Sequence, residues 1–157
     1  MIWPKVCMEK FISRLRKDYP GLTFKETGTA SWSPSSGQIS YSASTNDDSI
    51  WSTLHELGHA LMGHQSYKND IDLLNKEVEA WNKALSIAQG YGVVISNDHI
   101  QDCLDTYRDW VHRRSACPAC GNHGLQHSKA LYRCINCSST WKVSSERLCR
   151  PYRLKKP

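Results

Sequence analysis

Five consecutive residues, His55-Glu56-Leu57-Gly58-His59, carry the most specific chemistry in the chain. On a helix, positions i and i+4 share a face, so the two imidazoles project side by side. Placed that way they can hold one zinc ion. Glu56, next to the first of them, can serve as general base toward a water at that metal. The apolar runs Ile50-Trp51-Ser52-Thr53-Leu54 and Ala60-Leu61-Met62-Gly63 embed the motif in a helix. The plain alternative is a helix with two buried histidines.

A second constellation is made of cysteines. Cys117-Pro118-Ala119-Cys120-Gly121 and Cys134-Ile135-Asn136-Cys137 are two C-x-x-C turns with 13 residues between them. Each turn aims two thiolates at one metal, and the pair closes a four-cysteine zinc site with no open position, which marks it as structural. Tyr132 and Trp141 are expected to cover it. A module this small draws its stability from such an ion. His123 and His127, in the intervening loop, are spare ligand types. Cys7, Cys103 and Cys149 are scattered. Seven cysteines, four of them at metal spacing, argue for a reducing compartment rather than a disulfide framework, so a cytoplasmic location is expected. Met1-Ile2-Trp3-Pro4-Lys5 leads into an amphipathic segment with no signal peptide, and no apolar run is long enough to span a bilayer, so no membrane partner is expected.

A catalytic zinc usually takes three protein ligands and a water. His64 is nine residues after His55, about 180° around an unbroken helix, and reaches the metal only if the helix ends first. Glu77 and Glu79 stand on the following helix. Taking Ile71, Leu74, Val78, Trp81, Leu85 and Ala88 as its inward stripe, Glu77 lies on the flank and Glu79 toward solvent. Glu77 is the better placed of the three, and Glu79 and His64 stay open as alternatives.

The elements that must position these residues follow from periodicity. Val6 to Tyr19 is helical in pattern, with Phe11, Ile12 and Leu15 inward, and Pro20-Gly21 stops it. Leu22–Glu26, a short piece around Ala30-Ser31-Trp32, and Gln38–Ala43 alternate as strands, with a turn at Pro34-Ser35-Ser36-Gly37. A helix from about Asp47 to His64 begins after the N-cap candidates Thr45 and Asn46. Further helices run from about Asp70 to Gln89 and from Asn97 to Arg114, the last with Ile100, Leu104, Tyr107 and Val111 inward. The expected class is α+β: a small antiparallel sheet packed on the H-E-x-x-H helix and two further helices, followed by a small zinc ribbon. The expected domains are 1–114 and 115–157.

His55-Glu56-Leu57-Gly58-His59-Ala60-Leu61, followed by Glu77-Val78-Glu79-Ala80, resembles the ImmA/IrrE group of zinc metallopeptidases. These are gluzincins that share H-E-L-G-H and then E-x-x-A on the next helix. The resemblance covers about residues 20–90. It implies a sheet ahead of the active-site helix, zinc bound by His55, His59 and Glu77, and Glu56 as the base. Where that group follows the alanine with a small polar residue, this chain has Ala80-Trp81-Asn82-Lys83-Ala84. A metallopeptidase followed by a zinc ribbon is also similar in architecture to the SprT/Spartan proteases, which act on DNA-bound proteins. Their third ligand is a downstream His, and this chain has none between His64 and His99.

Charge is uneven. Residues 1–107 hold 9 basic and 13 acidic side chains and residues 108–157 hold 11 and 2, so the net +5 divides into −4 and +9. The basic stretch favours an anionic partner, and nucleic acid is the expected one. Arg113, Arg114, Lys129, Arg133, Trp141 and Lys142 are its candidate contacts, with Arg108, Arg147, Arg150, Arg153, Lys155, Lys156, Tyr132 and Tyr152 near them. The expected function is a zinc-dependent metalloendopeptidase with two zinc ions, one catalytic and one structural, acting on a protein such as a DNA-bound repressor. Tyr67, His99, Tyr107 and His112 are equal candidates for steadying the oxyanion. The rival is a nucleic-acid- or protein-binding adaptor whose H-E-x-x-H site is structural or inactive.

Overall fold

The computed structural model describes residues 7–145 and 153–155. Val6, Cys149, Arg147, Arg150, Tyr152 and Lys156 lie outside the described residues. The chain divides into two compact units, Met1–Gln65 with Lys76–Ser96, and Ser66–Asn75 with Asn97–Pro157. The cysteine module therefore shares a unit with the helix before it, whereas composition alone suggests a boundary after 114.

In the first unit α1 (Met8–Asp18) buries Met8, Phe11, Ile12 and Leu15. Three strands follow, β1 (Thr23–Glu26), β2 (Ser31–Ser33) and β3 (Gln38–Tyr41), in the sheet order β1-β3-β2. The α+β class is as expected, but this sheet is mixed rather than antiparallel. β2 and β3 form the expected hairpin, whereas β1 pairs in parallel with the far side of β3, Phe24 opposite Ile39. The cause is a crossing over the end of β3. The amides of Thr27 and Gly28 both donate to the Tyr41 carbonyl, at 3.0 and 3.3 Å, with Gly28 at φ +89°. Glycine takes that left-handed conformation without the clash a Cβ would bring. β2 is left at an edge.

α2 (Asp47–Leu61) starts at Asn46, whose side chain accepts the Ser49 amide at 3.0 Å. It ends three residues before the expected His64. The Gly63 amide donates to Ala60 and the His64 amide to His59, with Gly63 at φ +68°. That paired bonding satisfies the last carbonyls and turns the chain back on itself.

α3 (Asp70–Tyr91) buries a different stripe from the expected one. Glu77, Ala80, Trp81, Ala84, Ile87 and Ala88 are buried, while Ile71 is 54% exposed and Leu85 is also exposed. The reason is close approach to α2. A Cβ on Gly58 would stand 2.3 Å from the Ala80 carbonyl oxygen, so the two helices meet through glycine and alanine. Small residues mark this interface, and a stripe drawn through the largest apolar side chains misses it. Glu77 is consequently central to the buried face rather than on its flank.

The second unit contains α4 (Asn97–Ser115), which buries Ile100, Leu104, Trp110 and Arg114. It also contains a sheet of β4 (Gly124–Ser128), β5 (Leu131–Cys134), β6 (Thr140–Val143) and β7 (Arg153–Lys155), in chain order. Cys117, Tyr132, Cys134, Trp141 and Val143 form its small core. Asp70, 1% exposed, receives the Arg114 guanidinium at 2.6 Å and the Tyr132 hydroxyl at 2.5 Å. Arg114 further donates to the carbonyls of Lys129 and Ser144, and Trp141 donates its indole N–H to the Arg114 carbonyl at 2.9 Å. The ribbon strands are thus tied to the end of α4 and the start of α3 by a buried, fully bonded charge pair. No helix among the described residues is long and apolar enough to cross a membrane.

Candidate metal centres

α2 presents His55 and His59 on one face, with their rings edge to face at 4.6 Å. α3 brings Glu77 to them. The Nε2 atoms of the two histidines are 3.1 Å apart, and the Glu77 carboxylate oxygens lie 3.0 Å from His55 Nε2 and 3.5 Å from His59 Nε2. Donors about 2.05 Å from a tetrahedral ion stand about 3.3 Å from one another, so these three fit a single ion. Glu77 is 6% exposed. Burial raises its carboxyl, but the hydrogen bonds and charges of His55 and His59 outweigh that and hold it down at about 2. His55 is steadied by Trp81, stacked on it at 4.3 Å, while its own Nδ1 is buried without a hydrogen-bond partner. Trp81, which follows Ala80, thus packs on a candidate ligand.

Glu56 projects beside this cluster. Burial raises its carboxyl above the ordinary range, against the opposing pull of His55 and His59. His64 is brought back by the turn at Gly63, but to the rear of His59. Its Nδ1 is 2.9 Å from His59 Nδ1 and its Nε2 is 2.9 Å from Glu79 Oε2. Of the three candidates for third ligand, Glu77 alone stands with the two Nε2 atoms, and the other two form a chain behind one of them.

The four cysteines of the ribbon converge as expected. Sγ atoms of Cys117 and Cys137 are 3.6 Å apart, and those of Cys120 and Cys134 are 3.5 Å apart. These distances are far beyond a disulfide's ~2.05 Å and near the ~3.8 Å between thiolates around one zinc ion. The two knuckles repeat each other. The Cys117 amide donates to Asn122 and the Cys134 amide to Ser139, each at 2.8 Å, and the residue after the second cysteine is left-handed in both, Gly121 at φ +77° and Ser138 at φ +60°. The backbone and side chain of Asn122, with the side chain of Asn136, hold the Cys120 thiol down at about 6. Tyr132 and Trp141 stack at 5.7 Å within the same small core.

No protein-family model, no curated protein and no solved structure matches this chain. The site chemistry therefore rests on donor sets alone. Among the described residues, the two groups that could hold a metal ion are His55, His59 and Glu77, and Cys117, Cys120, Cys134 and Cys137. His123 belongs to neither; its Nδ1 meets Ser115 Oγ at 2.8 Å.

Two of the candidate nucleic-acid contacts are buried. Arg114 is 3% exposed and committed to Asp70, and Trp141 is 0% exposed, so neither can touch a phosphate or a base. Alternation on the ribbon strands explains Trp141, whose neighbours in sequence, Thr140 and Lys142, point the other way. Arg113, Lys129, Arg133 and Lys142 are exposed. Lys129 Nζ lies over the Tyr67 ring at 5.1 Å. Tyr67, His99, Tyr107 and His112 all belong to the second unit.

Proposed function

We propose that this protein is a zinc-dependent metalloendopeptidase that hydrolyses peptide bonds of a protein substrate at the His55–His59–Glu77 centre. The supporting observation is the donor geometry: two imidazole nitrogens and a carboxylate 3.0–3.5 Å apart. Such a set would supply three of the four ligands a tetrahedral zinc takes and would leave one place for water, unlike the four cysteines, which would supply all four. Zinc in that place would polarise the scissile carbonyl and make water a nucleophile at neutral pH. Glu56 takes the proton of the attacking water and delivers it to the leaving amine. β2, an edge strand, offers an extended substrate a backbone to pair with. The likeness to ImmA/IrrE enzymes supports the same assignment.

The test is Glu56→Gln, assayed on fluorescently labelled casein with zinc counted in parallel. Cleavage should fall by about 10²–10⁴-fold while the zinc content stays unchanged. A variant as active as the wild type would remove Glu56 as base; a zinc-loaded wild type that cleaves nothing would favour the adaptor reading.

The second unit supplies the case for a nucleic-acid partner, and with it a DNA-bound substrate. Residues 108–157 carry 11 basic and 2 acidic side chains, and Arg133 and Lys142 are exposed on adjacent strands. Affinity for a duplex oligonucleotide should drop steeply between ~50 and ~200 mM salt. A flat response would rule this partner out.

A further inference from the structure

His64 and Glu79 stand where a metal ligand is oriented rather than where a metal is held. The His64 backbone is fixed twice, by its amide on the His59 carbonyl at 3.0 Å and by the Trp32 indole N–H on its own carbonyl at 2.8 Å. His64 is 8% exposed, and its ring bridges His59 Nδ1 to Glu79 Oε2. With both imidazoles neutral, as metal binding demands, one arrangement of protons satisfies the whole chain. The Glu79 carboxylate can only accept, so His64 Nε2 carries its proton and His64 Nδ1 is the acceptor. His59 Nδ1 must then be the donor, which leaves His59 Nε2 with its lone pair facing Glu77 and His55 Nε2. That tautomer is the one a metal requires. His55, stacked on Trp81 with Nδ1 unpartnered, has no such support.

We propose that His64 and Glu79 are positioning residues that fix the tautomer and ring orientation of His59 and so set the affinity of the His55–His59–Glu77 centre for zinc. The inference rests on the reading of that centre as a metal site and does not depend on whether it is a peptidase. Partners of this kind behind a ligating histidine typically matter by 10–100-fold in metal affinity.

The experiment is a zinc titration of the full chain against a chromophoric chelator, on wild type, His64→Ala, His64→Asn and Glu79→Ala. The ion of the four cysteines serves in each as an internal control for folding. His64→Ala should weaken the helix site about 10–100-fold and leave the ribbon site as it was. Glu79→Ala should weaken the same site by less. His64→Asn should recover much of the loss, because an amide oxygen can accept from His59 Nδ1. Cobalt-loaded His64→Asn should keep the wild-type absorption bands, since no ligand has changed. A His64→Ala protein that binds zinc at the helix site as tightly as wild type overturns the inference and leaves the metal site standing. Altered cobalt bands also overturn it, by making His64 a direct ligand. A wild type that binds one ion per chain overturns the metal site and the inference together.

Discussion

Gly58 lies between Glu56 and His59, and its reason for being there is packing. A methyl group in its place would meet the Ala80 carbonyl oxygen at 2.3 Å, which is backbone and cannot swing aside. Gly58→Ala must therefore push α3 away from α2, and α3 carries Glu77. The expected cost is about 1–3 kcal/mol of stability from overpacking, measured by urea denaturation, together with weaker zinc binding at the helix site. Retained stability with normal zinc affinity would mean that the helices do not meet this closely. A milder case is Ser138, left-handed where the matching knuckle has Gly121. Ser138→Gly should raise the melting temperature and Ser138→Val should lower it, since a β-branched residue suits that conformation least.

Asp70 and Arg114 decide how the ribbon strands join the helices of their unit. Arg114 reaches Asp70 and two ribbon carbonyls, and Tyr132 of β5 reaches Asp70 from the other side. Such a pair is not in itself strong evidence of stability, because desolvation offsets much of the attraction. Removing one member is costly, since a buried charge is left alone. Arg114→Met should lose about 3–5 kcal/mol in guanidinium denaturation, more than an exposed change such as Arg113→Met, for which a few tenths is expected. Arg114→Lys should also be destabilised, because one ammonium cannot reproduce the guanidinium fork. Equal stability of Arg114→Met and Arg113→Met would show that the pair carries no structural role.

The protein as a whole should hold two ions of different behaviour. His55→Ala/His59→Ala should lower the zinc content from two per chain to one. Cys134→Ser should also lose one ion and, with it, the folded second unit, seen as loss of the near-ultraviolet signal of buried Trp141. One zinc in both the wild type and the histidine variant would leave the helix centre without a metal role. In the salt titration, Arg133→Ala/Lys142→Ala should flatten the slope by about two, one for each phosphate no longer neutralised, whereas Trp141→Ala should act only through stability.

Local chemistry was legible from residue order wherever it obeys a fixed spacing. The i, i+4 histidines, the paired C-x-x-C turns and the helices over Asp47–Leu61, Asp70–Tyr91 and Asn97–Ser115 all follow from helical and turn geometry, which depends on near neighbours. What tertiary structure decided is everything set by approach between distant segments. The parallel pairing of β1 with β3 depends on a crossing at Thr27 and Gly28. The inward turn of Glu77 depends on two helices meeting at Gly58 and Ala80, and small residues leave no mark in a hydrophobic pattern. The places of Arg114 and Trp141, read from composition as exposed binding residues, were set by a buried aspartate 44 residues from Arg114 and by the alternation of a strand. His64 lies opposite His55 on an ideal helix, and only the turn at Gly63 brings it behind His59.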